Sequence, residues 1–227
     1  AIGYVSDWVV ANGGTSILTE TTELVGTEHL LAARAATKEV ADKIYKIIYD
    51  TEEEVRKVMG PTASRVIARG NMEGGMSTIQ EKSLGCVRKG GTSTIMEVID
   101  YADPIPEDLK GLIIMDGPGY DTDSLTGMFA AGAQVALFSS GRGNPIGFPS
   151  APVIKLCSNP TTYESVGGDG GDMDINCGRI ISEGISPKEL GEYCIQYLLD
   201  VLDGKLTMPE AHNQGGALCI YQTTRPF

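Results

Sequence analysis

The sequence holds no stretch of the form G-x-x-x-x-G-K-[ST], and no G-x-G-x-x-G follows its first predicted strand, so ATP and NAD have no recognisable phosphate loop. Positive charge is scarce. Eighteen Lys and Arg against thirty Asp and Glu leave a formal charge of −12 and a pI near 4.6, which argues against the unspecific phosphate attraction on which nucleic-acid binding rests. Long apolar runs are missing too. The longest uncharged stretch, Ser124 to Gly141, is interrupted by Gly, Gln and Ser and reads as helix plus strand, so no membrane contact is expected. The five cysteines are odd in number, widely spaced and without a C-x-x-C pair. They read as reduced thiols of a cytoplasmic protein, not as disulfides or a Cys-ligated zinc. The chain starts Ala-Ile-Gly, with neither an initiator Met nor a signal-peptide pattern, and is expected to be a piece of a longer protein.

What remains is ordinary globular material. Hydrophobic residues make 41% and charged residues 21% of the chain, at a mean hydropathy of −0.05, which excludes wholesale disorder. At roughly 150 residues per domain, 227 residues suit one α/β domain spanning 1–227. The charge is uneven: residues 61–160 carry eight basic against ten acidic residues, and the other 127 carry ten against twenty. The middle of the chain therefore suits an anion best.

Helical and strand patterns alternate along the length, which predicts an α/β fold, a Rossmann-like open and mostly parallel sheet flanked by helices. A helix over residues 1–12 stops at Gly13-Gly14, and TSILTET follows as a strand. One long helix is expected from Thr27 to Met59, with Val40, Ile44, Ile47, Ile48, Val55 and Val58 as its apolar stripe. A short helix covers 77–89. Strands follow at 93–99, 109–116, 133–140 and 151–158, with a helix at 122–132. The last helix is the best signalled, with Ser186 as N-cap, Pro187 at its first position, Glu189 completing a capping box and Gly204 stopping it. Residues 167–172, GGDGGD, read as loop, and 207–227 as irregular.

In an open parallel sheet the ligand lies beyond the carboxyl ends of the strands. Those ends are Thr19 to Glu23, Asp116 to Asp121, Ser139 to Pro145 and Ser158 to Pro160. Each turns abruptly from apolar to polar, and one shared crevice is the economical reading, although strands end in Gly, Pro, Asn, Asp and Ser whatever the function. Arg142 offers a fork for a carboxylate, and Glu20, Asp116 and Asp121 offer hard oxygen ligands for a divalent metal. The glycines at 117, 119, 141 and 143 would let backbone amides approach a substrate, beside Ser83, Ser140 and Asn159. His29, at a helix start, or Lys82 would move a proton; each is also read as a surface residue. Arg88 and Lys89 are expected to face solvent, and His212 to be bland.

These motifs assemble into a family. The segments GGTSILTETTELVGTEHLL (13–31), GGMSTIQEKSLGCVRKGGTS (74–93), DGPGYD (116–121), LFSSGRGNPIG (137–147) and PVIKLCSN (152–159) resemble the carboxyl-terminal domain of the altronate dehydratase and galactarate dehydratase family of sugar-acid lyases. Tyr120 stands where the family has an Asn. The resemblance implies a metal-dependent hydro-lyase that takes water from a small anionic sugar acid to give a 2-keto-3-deoxy product, with Fe2+ as the expected metal and Mn2+ or Mg2+ as alternatives. It also implies contact with an amino-terminal domain and a homo-oligomer. A sister group eliminates sulfite from sulfolactate, and a non-catalytic domain that binds a sugar acid or an ion is the competing reading.

Overall fold

A computed structural model describes residues 1–61, 67, 69–216 and 218–219. Its elements alternate as the sequence predicts, but the strands divide between two open three-stranded sheets, parallel throughout. Two compact units follow from this: among the described residues, Ser6–Gly132 is one, and Ala1–Val5 with residues 133–219 is the other. Each is an α/β layer in its own right. No helix among the described residues is long and apolar enough to cross a membrane.

In the first unit the sheet order is β1 (Thr15–Leu18), β3 (Gly111–Met115), β2 (Ile95–Ile99). The central strand GLIIM is buried at every position, as expected for a parallel strand covered on both faces. Leu112 and Ile114 join Leu18, Ile95 and Val98 in a core completed by Val40, Ile44, Ile47 and Ile48 of α3 (Lys38–Met59). Val55 and Val58, counted in the predicted stripe, lie outside that core, and Val58 is 64% exposed.

The predicted 27–59 helix is two helices, α2 (Glu28–Ala32) and α3. The break has a tertiary cause. Between the helices the chain pairs with β2: Ala36 donates its amide to the Ile95 carbonyl at 2.8 Å, and the Ile95 amide donates to the Arg34 carbonyl at 2.9 Å. The Arg34 guanidinium donates to the carbonyls of Ser93 and Gly90. Thr37 then caps α3 by accepting from the Val40 amide. Further along, α4 (Arg69–Glu73) precedes α5 (Ile79–Cys86), a 3-10 turn covers Val87–Gly90, and α6 (Asp121–Ala130) follows β3. Helix α1 (Ile2–Ala11) carries Asp7, whose carboxylate accepts from the amides and hydroxyls of Thr92 and Ser93 and so fastens the entry to β2.

The second unit orders its sheet β4 (Ala136–Ser140), β5 (Val153–Cys157), β6 (Ile175–Asn176). Helices α7 (Pro160–Val166) and α8 (Arg179–Ser182) lie to either side of β6 in sequence. Helix α9 (Pro187–Leu202) forms where the Ser186-Pro187-Glu189 signal placed it, and Ser186 accepts from the Glu189 amide at 3.1 Å. The 207–211 segment is not irregular. It forms α10 (Met208–Ala211) behind a capping box in which Thr207 and Glu210 bond reciprocally. Asp174 ties these parts together, accepting from the Tyr197 hydroxyl, the Met208 amide and the Lys155 amide.

Candidate functional site

At the carboxyl edge of the first sheet, β1 and β3 release their chains side by side. The Thr21 hydroxyl donates to Asp116 at 2.7 Å and accepts from the Gly117 amide at 3.0 Å, while the Thr21 amide donates to the Gly117 carbonyl at 3.0 Å. The glycines of the Gly-Pro-Gly loop have a packing reason. A Cβ on Gly117 would lie 2.8 Å from the Thr19 hydroxyl oxygen, and one on Gly119 2.4 Å from that of Thr22. Two loops thus approach where a substrate was expected, and the Gly117 amide is committed to Thr21.

Immediately after β1, Glu20 adopts φ +69°, ψ +65°, a left-handed conformation that a residue with a Cβ seldom takes and that costs on the order of 1 kcal/mol. The turn aims the next residues back at α5. Glu23, in the 3-10 turn Thr21–Leu24, pairs through Oε1 with the Lys82 ammonium, and its Oε2 accepts from the Cys86 thiol at 2.7 Å and lies 4.0 Å from Lys89 Nζ. Lys82, Cys86 and Lys89 recur at helical spacing along α5 and the turn after it, so one face presents two ammonium groups and a thiol to one carboxylate.

Charge separates the two glutamates. Burial, with the Glu23 carboxylate next to it, pushes the Glu20 carboxyl up to about 8; Lys89 opposes that rise and Asp121 adds to it. For Glu23 burial acts in the same upward direction, but Lys89 and Lys82 outweigh it and hold its carboxyl below the ordinary range. Burial also pushes the Cys86 thiol up to about 12, so it serves as a hydrogen donor and not as a thiolate. Burial would weaken the Lys89 ammonium, yet Cys86 and the carboxylates Glu20, Glu23 and Asp121 around it favour the charged form. Neighbouring carboxylates with protonation driven apart are the arrangement that acid–base chemistry uses.

The residues expected from the sequence are therefore sorted within this unit. Glu20, Asp121 and Lys82 come together around Glu23 and Lys89, while Asp116 is bonded to Thr21, the residue after Glu20. His29 does not join them; it is exposed, at the start of α2. Ser83 is fully buried and donates its hydroxyl to the Ile79 carbonyl at 2.9 Å, which spends it inside α5. Lys89, expected to face solvent, is instead two-thirds buried and turned to Glu23. Glu23, Cys86 and Lys89 are the residues the sequence reading missed. The spacing of Lys82, Cys86 and Lys89 could have shown a shared face, whereas nothing local names Glu23 as its partner.

A cation would relieve the repulsion among Glu20, Glu23 and Asp121, so the chemistry of the donors suits a hard divalent ion. The geometry suits it only in part. Among the described residues no three His, Cys, Asp or Glu side chains gather as a metal nest, and Asp116 already accepts from Thr21.

The second unit has its own polar edge. The Ser140 carbonyl accepts from the Ser158 amide at 2.9 Å, the Ser140 hydroxyl accepts from the Arg142 amide at 3.3 Å, and the Gly141 carbonyl accepts from the Thr162 hydroxyl at 2.9 Å. Asn159 caps α7 by accepting from the amides of Thr161 and Thr162. Gly143 has φ +79°, and a Cβ there would press on Val166 at 3.0 Å. Ser140 and Gly141 are thus hydrogen-bonded to the segment that Asn159 caps, Gly143 packs beside Val166, and Arg142 is exposed.

Comparison with known proteins agrees with these motifs. The family model described as D-galactarate/Altronate dehydratase, C-terminal, matches residues 1–225. An altronate dehydratase of Bacillus subtilis is 34% identical over 93% of this chain and 41% of its own length. One from Escherichia coli is 31% identical over 98% of this chain and 43% of its own. The beta subunit of a (2R)-sulfolactate sulfo-lyase from Chromohalobacter salexigens is 32% identical over 92% of this chain and 53% of its own. The chain spans about two fifths of the length of the altronate dehydratases it matches. It belongs to the D-galactarate/altronate dehydratase carboxyl-terminal family.

Proposed function

We propose that the chain is the carboxyl-terminal catalytic part of a hydro-lyase that removes water from a sugar acid related to altronate or galactarate. The observation that carries this reading is the Lys82–Glu23 pair beside Glu20 and Asp121, at the sheet edge where open α/β folds hold their ligands. The family assignment supports the substrate class.

The step asked of the site is an elimination. A base takes the proton from the carbon next to the substrate carboxylate, that electron pair becomes a carbon–carbon double bond, and the neighbouring carbon–oxygen bond breaks. The hydroxyl departs as water with the proton that the base has taken, and the enol left behind becomes the 2-keto-3-deoxy acid. Lys82 is the group that moves the proton in this reading. His29, exposed on α2, is set aside. Within the second unit, taken by itself, Arg142 and the turn beneath it are assigned a small anion. A divalent ion, expected to be ferrous with manganous or magnesium as alternatives, would be held by Glu20 and Asp121 near Asp116 and would polarise the leaving hydroxyl. The same reading makes the protein a cytoplasmic homo-oligomer in contact with an amino-terminal part.

The test uses the complete enzyme. Lys82→Ala should lower kcat by at least a hundredfold, while His29→Ala stays within a few fold. Normal turnover in Lys82→Ala ends the assignment. Because a sulfo-lyase subunit covers this chain as fully as the dehydratases do, sulfolactate belongs in the same assay. Sulfite release without dehydration of altronate or galactarate would replace the sugar acid as substrate, and binding without turnover of either would favour a binding domain.

A further inference from the structure

We propose that Glu23 is the positioning residue of Lys82, and that Cys86 and Lys89 fix Glu23 from behind. This rests on the reading of Lys82 as the group that moves the proton.

A lysine is a poor instrument of geometry. Its ammonium rides on four flexible methylenes, and ordering that stem has an entropic cost that a single exposed ion pair scarcely offsets. Lys82 is held differently. Its partner carboxylate is only 12% exposed, and both oxygens of that carboxylate are occupied. Oε1 takes Lys82, and Oε2 takes the Cys86 thiol at 2.7 Å with Lys89 Nζ at 4.0 Å. A carboxylate engaged on both oxygens cannot turn about its last bond without losing a partner, so the side of it offered to Lys82 is fixed.

The backbone adds a second constraint. Glu23 lies in a short 3-10 turn that begins directly after the left-handed Glu20, and the other three residues lie on α5 and the turn that continues it. Both segments are anchored in the core, through Leu24 and Val25 on one side and Val87 on the other. The pair therefore joins two rigid supports, which is what a proton-transferring group needs and a surface ion pair lacks. The charged groups facing Lys82 from these elements are Glu23 from the 3-10 turn and Lys89 from the turn after α5, with Glu20 next to Glu23. Two ammonium groups share one carboxylate, so Lys89 limits how far Glu23 can lean toward Lys82.

The experiment compares wild type, Glu23→Gln, Glu23→Asp and Cys86→Ala in the complete enzyme. Three quantities are read: steady-state kinetics, thermal unfolding, and the rate at which Lys82 is acylated at one fixed pH, followed by mass spectrometry. Glu23→Gln keeps the shape and removes the charge. We expect a fall of tenfold or more in kcat, a KM within about twofold, an unfolding temperature within a few degrees, and Lys82 acylated several-fold faster. Glu23→Asp, which restores the charge one methylene short, should recover part of kcat. Cys86→Ala loosens Glu23 without touching Lys82; it should move kcat and Lys82 acylation in the same directions by a smaller factor, and it carries the test if Glu23→Gln does not fold. Lys82 acylation equal to wild type in the folded variants overturns the proposal. Faster acylation with kcat unchanged keeps Glu23 as the residue that holds Lys82 and removes Lys82 from the chemistry, so the two ideas fail separately.

Discussion

Thr21 donates its hydroxyl to Asp116 at 2.7 Å across ninety-five residues of sequence, and the same oxygen accepts from the Gly117 amide. One hydroxyl stitches the ends of two parallel strands at the edge where the candidate site lies. Thr21→Val, which keeps the shape and deletes both bonds, leaves a buried amide and a carboxylate without this partner. It should cost about 1–3 kcal/mol of stability, read from urea unfolding. A loss under a few tenths of a kcal/mol would show that the stitch is ornamental.

Glu20 gives a pH signature. Its carboxyl titrates at about 8 in the folded chain against a reference of 4.5, so between those values the folded state holds a proton that the unfolded state has released. Stability from this group is complete below pH 4.5 and is lost as pH rises toward 8. Glu20→Gln has no such loss. In chelator-treated protein its unfolding temperature should gain on wild type between pH 5 and pH 8, and a gap that stays constant over that interval would refute the assignment of the proton to Glu20.

Removing divalent ions with a chelator and restoring ferrous, manganous or magnesium ion under anaerobic conditions tests the proposed metal directly. Turnover to a 2-keto acid should vanish and return, with ferrous ion expected to be the most effective. Activity indifferent to chelation would leave Glu20 and Asp121 without that role.

Arg142 is exposed on the turn that follows β4. If its guanidinium holds an anionic substrate, Arg142→Ala in the complete enzyme should reduce kcat/KM by two orders of magnitude or more. Near-normal kcat/KM would take the guanidinium out of substrate binding.

Some of this was legible in the chain and some was not, for physical reasons. Ser186, Pro187 and Glu189 specify the start of α9 by local hydrogen bonding alone, and it starts there. GLIIM is uninterrupted because both its faces are covered, and that too is a local pattern. The break between α2 and α3 was hidden because it is made by Ile95, some sixty residues downstream, which pairs with Arg34 and Ala36. A two-residue strand such as β6 has too few positions for any period to show. The same division holds at the site. Lys82, Cys86 and Lys89 stand at helical spacing in plain view, yet Lys89 read as a surface residue because its partner, Glu23, is distant in sequence.

Lys155, in the middle of β5, has no exposed surface at all. Its ammonium donates to the Ile146 carbonyl at 2.9 Å and stands 4.5 Å from the centre of the Phe138 ring. An acylating reagent cannot reach it until the second unit opens. In the labelling experiment that follows Lys82, modification at Lys155 would serve as a built-in clock for the opening of the second unit, and of that unit alone.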